Sequence, residues 1–494
     1  MKSVAAHLPA LQVVVPLIGA LLCSLLRRGT LAWALSLVVS WLLPVISIAL
    51  LVQVSSTGPI SYHMGSWAPP IGIEYRVDLL NAFVLVLVSV VGAVIQPFAR
   101  RSVAHEIDGD KQPWFYTMYL LCLTGLLGIT ITGDAFNVFV FLEISSLSTY
   151  VLIAMGKDRR ALLSAYQYLI VGTIGATFYV IGIGLLYLVT GSLNFADVAQ
   201  RLAGIGELRP VLAALAFITV GLGLKLALFP LHQWLPNAYA FAPSVVTTFL
   251  AATATKVSVY VLVRFYFLVF APSQALEGVP VGGVLIALSA AAIVAMSLVA
   301  VFQPDLKRMF AYSSVAQIGY VTLGLGIANE AALTGSLAHL VNHGVTKSAL
   351  FLLVGGIVLR GGDASFASLA GLGQRMPWTS FGIVVAGLSL IGVPATAGFT
   401  SKWYLIAGAA EQGSWWIVAL VVAGSLIAVA YVWRFVEAAY LAQPPAGAAA
   451  GEPPLSMRAS EAVAVALCVV LGLVTAFNIG FARRAVGLLL GGAG

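Results

Sequence analysis

Four lysines, two histidines and one glutamate lie inside long apolar stretches of the chain, at Glu143, Lys225, Lys256, His339, His343, Lys347 and Lys402. Histidine changes charge near neutrality. A lysine in low dielectric is pulled towards its neutral form, and a nearby carboxylate pulls it back. Groups so balanced can take up and release protons. A charge at the centre of a membrane-spanning helix costs about 2.5–3.5 kcal/mol even on lenient scales, so such groups persist mainly where protons or ions cross. The chain is 9% charged and 61% hydrophobic, and most of its other ionisable residues fall in short connecting segments. The chemistry these residues suit is ion translocation.

Glu143 stands in DAFNVFVFLEISSLSTYVLIA, nine residues after Asp134, or about 13 Å along a helix. Ser145, Ser146 and Ser148 follow it and could hold water; a glutamate capping another helix is the competing reading. Lys225 lies sixteen residues after Arg209 and is equally deep. Two unit charges 5 Å apart attract by roughly 3 kcal/mol at an effective dielectric near 20. That nearly balances desolvation, so a small movement of Glu143 against Lys225 could load or release a proton. Lys256, among threonines and serines in AATATKVSVYVLVRF, reads as a relay, and Arg264 as a cation snorkelling to the outer surface. His339, His343 and Lys347, spaced i, i+4, i+8, share one helix face and suit a proton wire. A structural hydrogen-bonded pair competes with that reading, and no carboxylate or cysteine joins the histidines to complete a metal site. Lys347 is a secondary candidate that could instead pair with a broken-helix carbonyl. Lys402 ends the row as a terminal relay or a snorkelling cation. His232 is also secondary, either lining an access path or capping an opened helix. Arg434 and Glu437, at i, i+3, read as an ion pair.

The elements that position these groups are membrane helices. In 494 residues of mean hydropathy +1.02, apolar runs of membrane-crossing length recur from end to end. They are continuous rather than alternating, which favours helices over a barrel. The spacing predicts an all-α integral membrane protein of about fourteen spans, from 8–26 to 459–482, with no soluble domain. The N-terminal run reads as the first span rather than a removable signal. Span 7 (209–229) breaks at FPLHQWLP and span 12 (378–410) at GVPATAGF, because proline removes a donor and clashes with the preceding turn. If spans 4–8 and 9–13 are two five-helix repeats, both broken helices come fourth, and five being odd inverts the second repeat. Matched interrupted helices point to a transport site. The chain divides into 1–113, a three-helix segment; 114–270 and 271–442, the repeats; and 443–494, a flexible linker and last helix.

Lysine and arginine fix the expected orientation. Loops after odd-numbered spans hold Arg27, Arg28, Arg100, Arg101, Lys157, Arg159, Arg160, Lys307, Arg308 and others, against Lys2, Arg76, Arg201, Arg209, Arg483 and Arg484 opposite. The positive-inside rule places the first set in the cytoplasm and both termini outside. Cys23, Cys122 and Cys468 are widely separated, so neither a disulfide framework nor a cysteine metal site is expected, nor a redox cofactor or nucleotide.

Four stretches in order, KLALFPLHQWLPNAYAFAPS (225–244), LAATATKVSVYVLVR (250–264), QPDLKRMFAYSS (303–314) and HLVNHGVTKSALFLLVGG (339–356), resemble the antiporter-like proton-translocating subunits. These include the L, M and N subunits of respiratory complex I, membrane-bound hydrogenase subunits, and the A-type and D-type subunits of Mrp cation/proton antiporters. The resemblance covers roughly residues 75–440. It implies a fourteen-helix core with inverted repeats. It also implies that Glu143 and Lys225 are the family's paired groups of helices five and seven, Lys256 its eighth-helix lysine, His339 and His343 its eleventh-helix histidines, and Lys402 its terminal lysine. GSWAPPIGIEYRVD (65–78) and GFTSKWYLI (398–406) are most similar to the D-type Mrp antiporter subunits, while Tyr239 stands where complex I relatives often have histidine. The expectation is a D-type member of a multisubunit sodium/proton antiporter in a bacterial-type inner membrane, working with other membrane subunits. A complex I or hydrogenase subunit is the alternative, and an inert membrane scaffold a third reading.

Overall fold

The computed structural model describes residues 4–205, 209–271, 279–445, 447 and 451–491; Lys2 and part of the 443–454 linker lie outside these. Helices α1 (Leu8–Leu25) and α2 (Gly29–Thr57) lead into a hairpin of β1 (Ile60–His63) and β2 (Glu74–Val77), followed by α3 (Leu79–Glu106). The first repeat contains α4 (Gln112–Ile131), α5 (Ala135–Ala154), α6 (Arg159–Thr190), a short α7 (Phe195–Leu202), α8 (Arg209–Leu226), α9 (Trp234–Phe241), α10 (Ser244–Ala252) and α11 (Ala254–Arg264). The second contains α12 (Val281–Val301), α13 (Leu306–Ile327), α14 (Glu330–Gly361), α15 (Leu372–Arg375), α16 (Pro377–Ile391), α17 (Ala397–Glu411) and α18 (Trp415–Val436). Helices α19 (Leu455–Leu473) and α20 (Thr475–Leu490) follow. Among the described residues, thirteen helical segments are long and apolar enough to cross a membrane, α10 and α11 counting within one. The divided α16–α17 supplies the fourteenth expected crossing.

Two short backbone bridges display the repeat. Asp134 caps α5 by accepting from Asn137 N at 2.7 Å, and pairs with Asn194 through Ala135 N to Leu193 O (2.8 Å) and Phe195 N to Gly133 O (2.9 Å). Asp305 caps α13 by accepting from Arg308 N at 2.8 Å. It pairs with Ser365 through Leu306 N to Ala364 O (2.9 Å) and Phe366 N to Pro304 O (3.2 Å). Each bridge spans 60 residues (134 to 194, 305 to 365), and the second lies 171 further along at both ends. Aspartate at these N-caps satisfies donors that a helix start leaves free. Five crossings separate the two clamps, so they fall on opposite faces, as inverted repeats require.

Small residues let the helices approach closely. A Cβ on Gly221 of α8 would sit 2.7 Å from Gly175 O of α6, so neither position accepts a larger side chain without separating the helices. The hairpin braces this half from outside the bundle. Buried Glu74 accepts from Ser61 Oγ (2.5 Å) and Asn194 Nδ2 (2.8 Å), and its carbonyl accepts from Gly133 N (2.8 Å).

Several sequence expectations change. The eighth span is not continuous: the helix breaks at Thr253 (φ −125°, ψ −58°). The last predicted span, 459–482, divides at Val474, and α20 packs back along α3 and α14. The described end of the linker is tied down, Glu452 capping α16 through Trp378 N (2.7 Å) and Thr379 Oγ1 (2.6 Å). Arg434 does not pair with Glu437; its guanidinium donates to Val301 O, at the last residue of α12, and to Gln303 O just beyond it. Arg264 does not snorkel. It donates to Asp78 Oδ1 at 2.6 Å and to the Tyr260 hydroxyl at 2.9 Å, with both charges of the pair largely buried.

Asp78 also caps α3 through Leu80 N (3.0 Å) and Asn81 N (3.1 Å). Removing one partner of a buried pair strands the other charge, at about 3–5 kcal/mol. Asp78→Ala is therefore expected to lower thermal stability in detergent sharply. Asp78→Ala combined with Arg264→Met should cost less than the sum of the single changes.

Candidate functional site

Helix α8 stops at Leu226, and Lys225 occupies its final turn, at the negative end of the helix dipole. Two of the carbonyls there are taken by Trp234 Nε1 on Leu224 O (2.9 Å) and Leu228 N on Gly223 O (2.8 Å). The buried Lys225 ammonium turns to α5 instead. It donates to Ser146 Oγ at 2.7 Å and lies 4.0 Å from Glu143 Oε1. The carboxylate is 29% exposed and the lysine 4%, so the pair is loose and one partner reaches the protein's flank. A cavity of about 20 Å³ is lined by Ser145, Ser146, Thr149, Lys225 and, across on α11, Ser258. That is room for one water with several polar partners.

Two residues before Ser258 stands Lys256. The break at Thr253 frees carbonyls at the C-terminus of α10, and Lys256 Nζ donates to Ala251 O and, at 3.3 Å, to Thr255 Oγ1. The same break receives α14: a Cβ on Gly344 would sit 2.9 Å from Ala252 O. Glycine at 344 thus brings its neighbour His343 against the opened helix.

His339 and His343 stack with ring centroids 6.1 Å apart and an interplanar angle of 13°. His339 is held at both nitrogens, Nδ1 by Ser401 Oγ of α17 (2.8 Å) and Nε2 by Gln317 Oε1 of α13 (2.9 Å). His343 Nε2 is buried without a hydrogen-bond partner among the described residues. Beyond Gln317, Lys402 donates to Leu390 O (3.2 Å), Ile391 O (2.9 Å) and Ser425 Oγ (3.0 Å), and lies 4.4 Å from the Tyr320 ring centroid. It therefore caps the C-terminus of α16, where the chain turns at Gly392 (φ +91°). A Cβ there would meet the lysine stem at 3.0 Å, so the residue must be glycine both for its dihedral and for the cation's passage.

The two secondary residues differ. Lys347 donates to Phe310 O (2.7 Å) and Ser313 Oγ (2.6 Å), both inside the continuous α13 rather than at a broken helix. His232 stacks on Phe229 at 5.3 Å within the first break, its Nδ1 buried without a partner, and no described residue links it to Lys225. Lys225, Lys256, His339, His343 and Lys402 are all buried, and the half-buried Glu143 flanks the first of them. Sequence reading missed the neutral groups between them: Gln317, Ser401, Tyr320, Ser425 and the break at Thr253. Their signal was amide and hydroxyl residues inside apolar runs, as in YSSVAQIGY (312–320). Also missed is Asn342, which donates to Ala397 O (2.6 Å) and accepts from Asn478 of α20 (2.8 Å). Among the described residues no three His, Cys, Asp or Glu side chains converge as metal ligands would.

Residues 132–428 match the family described as NADH:quinone oxidoreductase/Mrp antiporter, transmembrane. The chain is 42% identical over 453 residues to the N subunit of NADH-quinone oxidoreductase from Desulforudis audaxviator, covering 91% of this chain and 90% of that one. It is 31% identical over 385 residues to the D-type Na+/H+ antiporter subunit of Alkalihalophilus pseudofirmus, covering 77% and 76%. A chain of an archaeal respiratory complex, the membrane-bound sulfane sulfur reductase, superposes with a TM-score of 0.91 at 30% identity, covering 98% of both chains.

Gln317→Leu removes one of the two contacts that fix the His339 ring. The unmade buried hydrogen bond is expected to cost about 1–3 kcal/mol, measured as reduced thermal stability. Gln317→Glu, which keeps an acceptor, is expected to retain most of it.

Proposed function

As a member of the NADH:quinone oxidoreductase/Mrp antiporter transmembrane family, this chain is, we propose, a proton-translocating membrane subunit of a multisubunit complex. Protons pass among Lys225, Lys256, the His339–His343 pair and Lys402, while Glu143 sets the proton affinity of Lys225. The observation that carries this reading is the Lys225 ammonium, shared between Ser146 at 2.7 Å and Glu143 at 4.0 Å. A small displacement of α5 against α8 changes which partner it has, and so its hold on a proton. The small polar cavity beside it supports a water step towards α11.

Two sources of drive fit this row. The 42% identity to a complex I N subunit supports redox coupling, and we take that reading first. The antiporter reading is supported by the 31% identity to a D-type Na+/H+ antiporter subunit, and by the stretches at 65–78 and 398–406. Among the described residues sodium finds no carboxylate cage in this row, so under the second reading another member of the complex handles it. The exposed apolar flanks, among them Trp41, Trp403 and Trp433, suit burial against lipid and other membrane subunits. Both termini are assigned to the outer side of a bacterial-type inner membrane.

The test is reconstitution of the intact complex. Proton movement that needs NADH, formate, hydrogen or another electron donor supports the first reading. Movement driven by a sodium gradient alone supports the second. Under either, Lys225→Ala and Glu143→Gln are expected to lower translocation by at least roughly tenfold, equivalent to 1.4 kcal/mol on the barrier, while the complex still assembles. Full transport by both variants would overturn the proposal.

A further inference from the structure

Glu461 lies in the second turn of α19, within a membrane span, and is only 4% exposed. It faces α14 so closely that a Cβ on Gly356 would sit 2.6 Å from its Oε1. Among the described residues that oxygen is buried without a hydrogen-bond partner, as are the hydroxyls of neighbouring Ser460 and of Ser380 on α16. The charged groups around it are otherwise placed. Glu452, from the linker, caps α16. Arg360, at the end of α14, donates to Gly451 O at 3.0 Å. Arg458, one turn earlier on α19, lines the same crevice as Glu461 but, among the described residues, forms no ion pair with it. A buried carboxylate with no paired cation is costly, so the group must hold a proton or draw in water.

A crevice gives access to Glu461, and polar groups lie further along the same helix. A crevice of about 420 Å³ between α14, α16 and α19 reaches Glu461, with Arg458 and Trp378 on its walls. Seven residues further along α19, about 10 Å by helical rise, Cys468 Sγ lies 3.9 Å from Thr346 Oγ1. Thr346 in turn bonds Ser389 Oγ at 2.9 Å, and it stands one turn along α14 from His343. We propose that Glu461 is a second proton-binding site of this chain, a loading carboxyl that feeds the histidine pair from the face carrying the α18–α19 connection. This rests on the translocation reading above. Only a proton moves: water entering between Glu461 and Cys468 takes it from the neutral carboxyl, which recovers one from the crevice.

The experiment uses the reconstituted complex carrying Glu461→Gln, Glu461→Asp or Lys225→Ala. A structural glutamic acid would be replaced by glutamine without loss, since the amide keeps its shape and a donor. The loading role predicts that Glu461→Gln assembles, translocates about tenfold more slowly, one order of magnitude in rate being 1.4 kcal/mol, and loses part of the pH dependence, while Glu461→Asp restores most of the rate. Glu461→Gln transport equal to the parent at every pH, with Lys225→Ala inactive, overturns the role of Glu461 alone. Lys225→Ala transport equal to the parent overturns the row itself and this inference with it. A second measurement needs no variant. Dicyclohexylcarbodiimide adds to protonated carboxyls, the carboxyl oxygen bonding to the carbodiimide carbon and the proton passing to nitrogen. Labelling of Glu461 that declines as pH rises supports the proposal; absence of label at all pH values overturns it.

Discussion

A backbone carbonyl freed inside a hydrocarbon layer has no water to bind, and each break in a spanning helix frees several. In this chain the side chains that answer are largely lysines. Lys256 holds Ala251 O beside the break at Thr253, and Lys402 holds Leu390 O and Ile391 O at the end of α16, whereas Lys347 holds Phe310 O within the unbroken α13. Cation and broken helix satisfy one another: the helix's negative end offsets part of the ammonium's desolvation, and the ammonium offsets the unmade ladder. A lysine that serves a carbonyl keeps a directional bond even when other partners move. Lys225 departs from this pattern, being given to a serine and a carboxylate on another helix, and is therefore the least committed of the four.

The repeats supply the frame in which these breaks are placed. Each begins its second helix at a capped aspartate, and ties that cap to the segment following its third helix. The fourth helix of each, α8–α9 and α16–α17, is then free to open between anchored neighbours. Gly344 and Gly392 set how near the neighbouring elements come to the openings. Position along the row is thus fixed by backbone contacts, and the titrating groups are added to it.

How much is legible in the sequence follows from what each residue must tell its neighbours. Charge in an apolar run is rare enough to stand out alone, so Glu143, the lysines and the histidines are visible there, and Pro230 and Pro394 mark two breaks. The break at Thr253 carries no proline; beside the local bond from Lys256, it receives Gly344, a contact made far away in sequence. Gln317 and Ser401 look like ordinary helix residues until α13 and α17 place them on either side of His339. Arg264 and Arg434 mislead for a related reason, since their partners, Asp78 and the carbonyls at and just beyond the end of α12, are more than a hundred residues distant. Glu461 is easily passed over because it stands close after the 443–454 linker, near Glu452 and Arg458, and looks like their continuation.

Asn342 joins three elements at the depth of the histidines. Its amide nitrogen holds the first turn of α17 through Ala397 O, and its oxygen is held by Asn478 on α20. Helix α20 is thus geared to the middle of the bundle through this amide, with Arg483 on Tyr404 of α17 as a second polar tie. Any neighbour that grips the C-terminal helix has its hand on a lever whose short arm is the opened twelfth span.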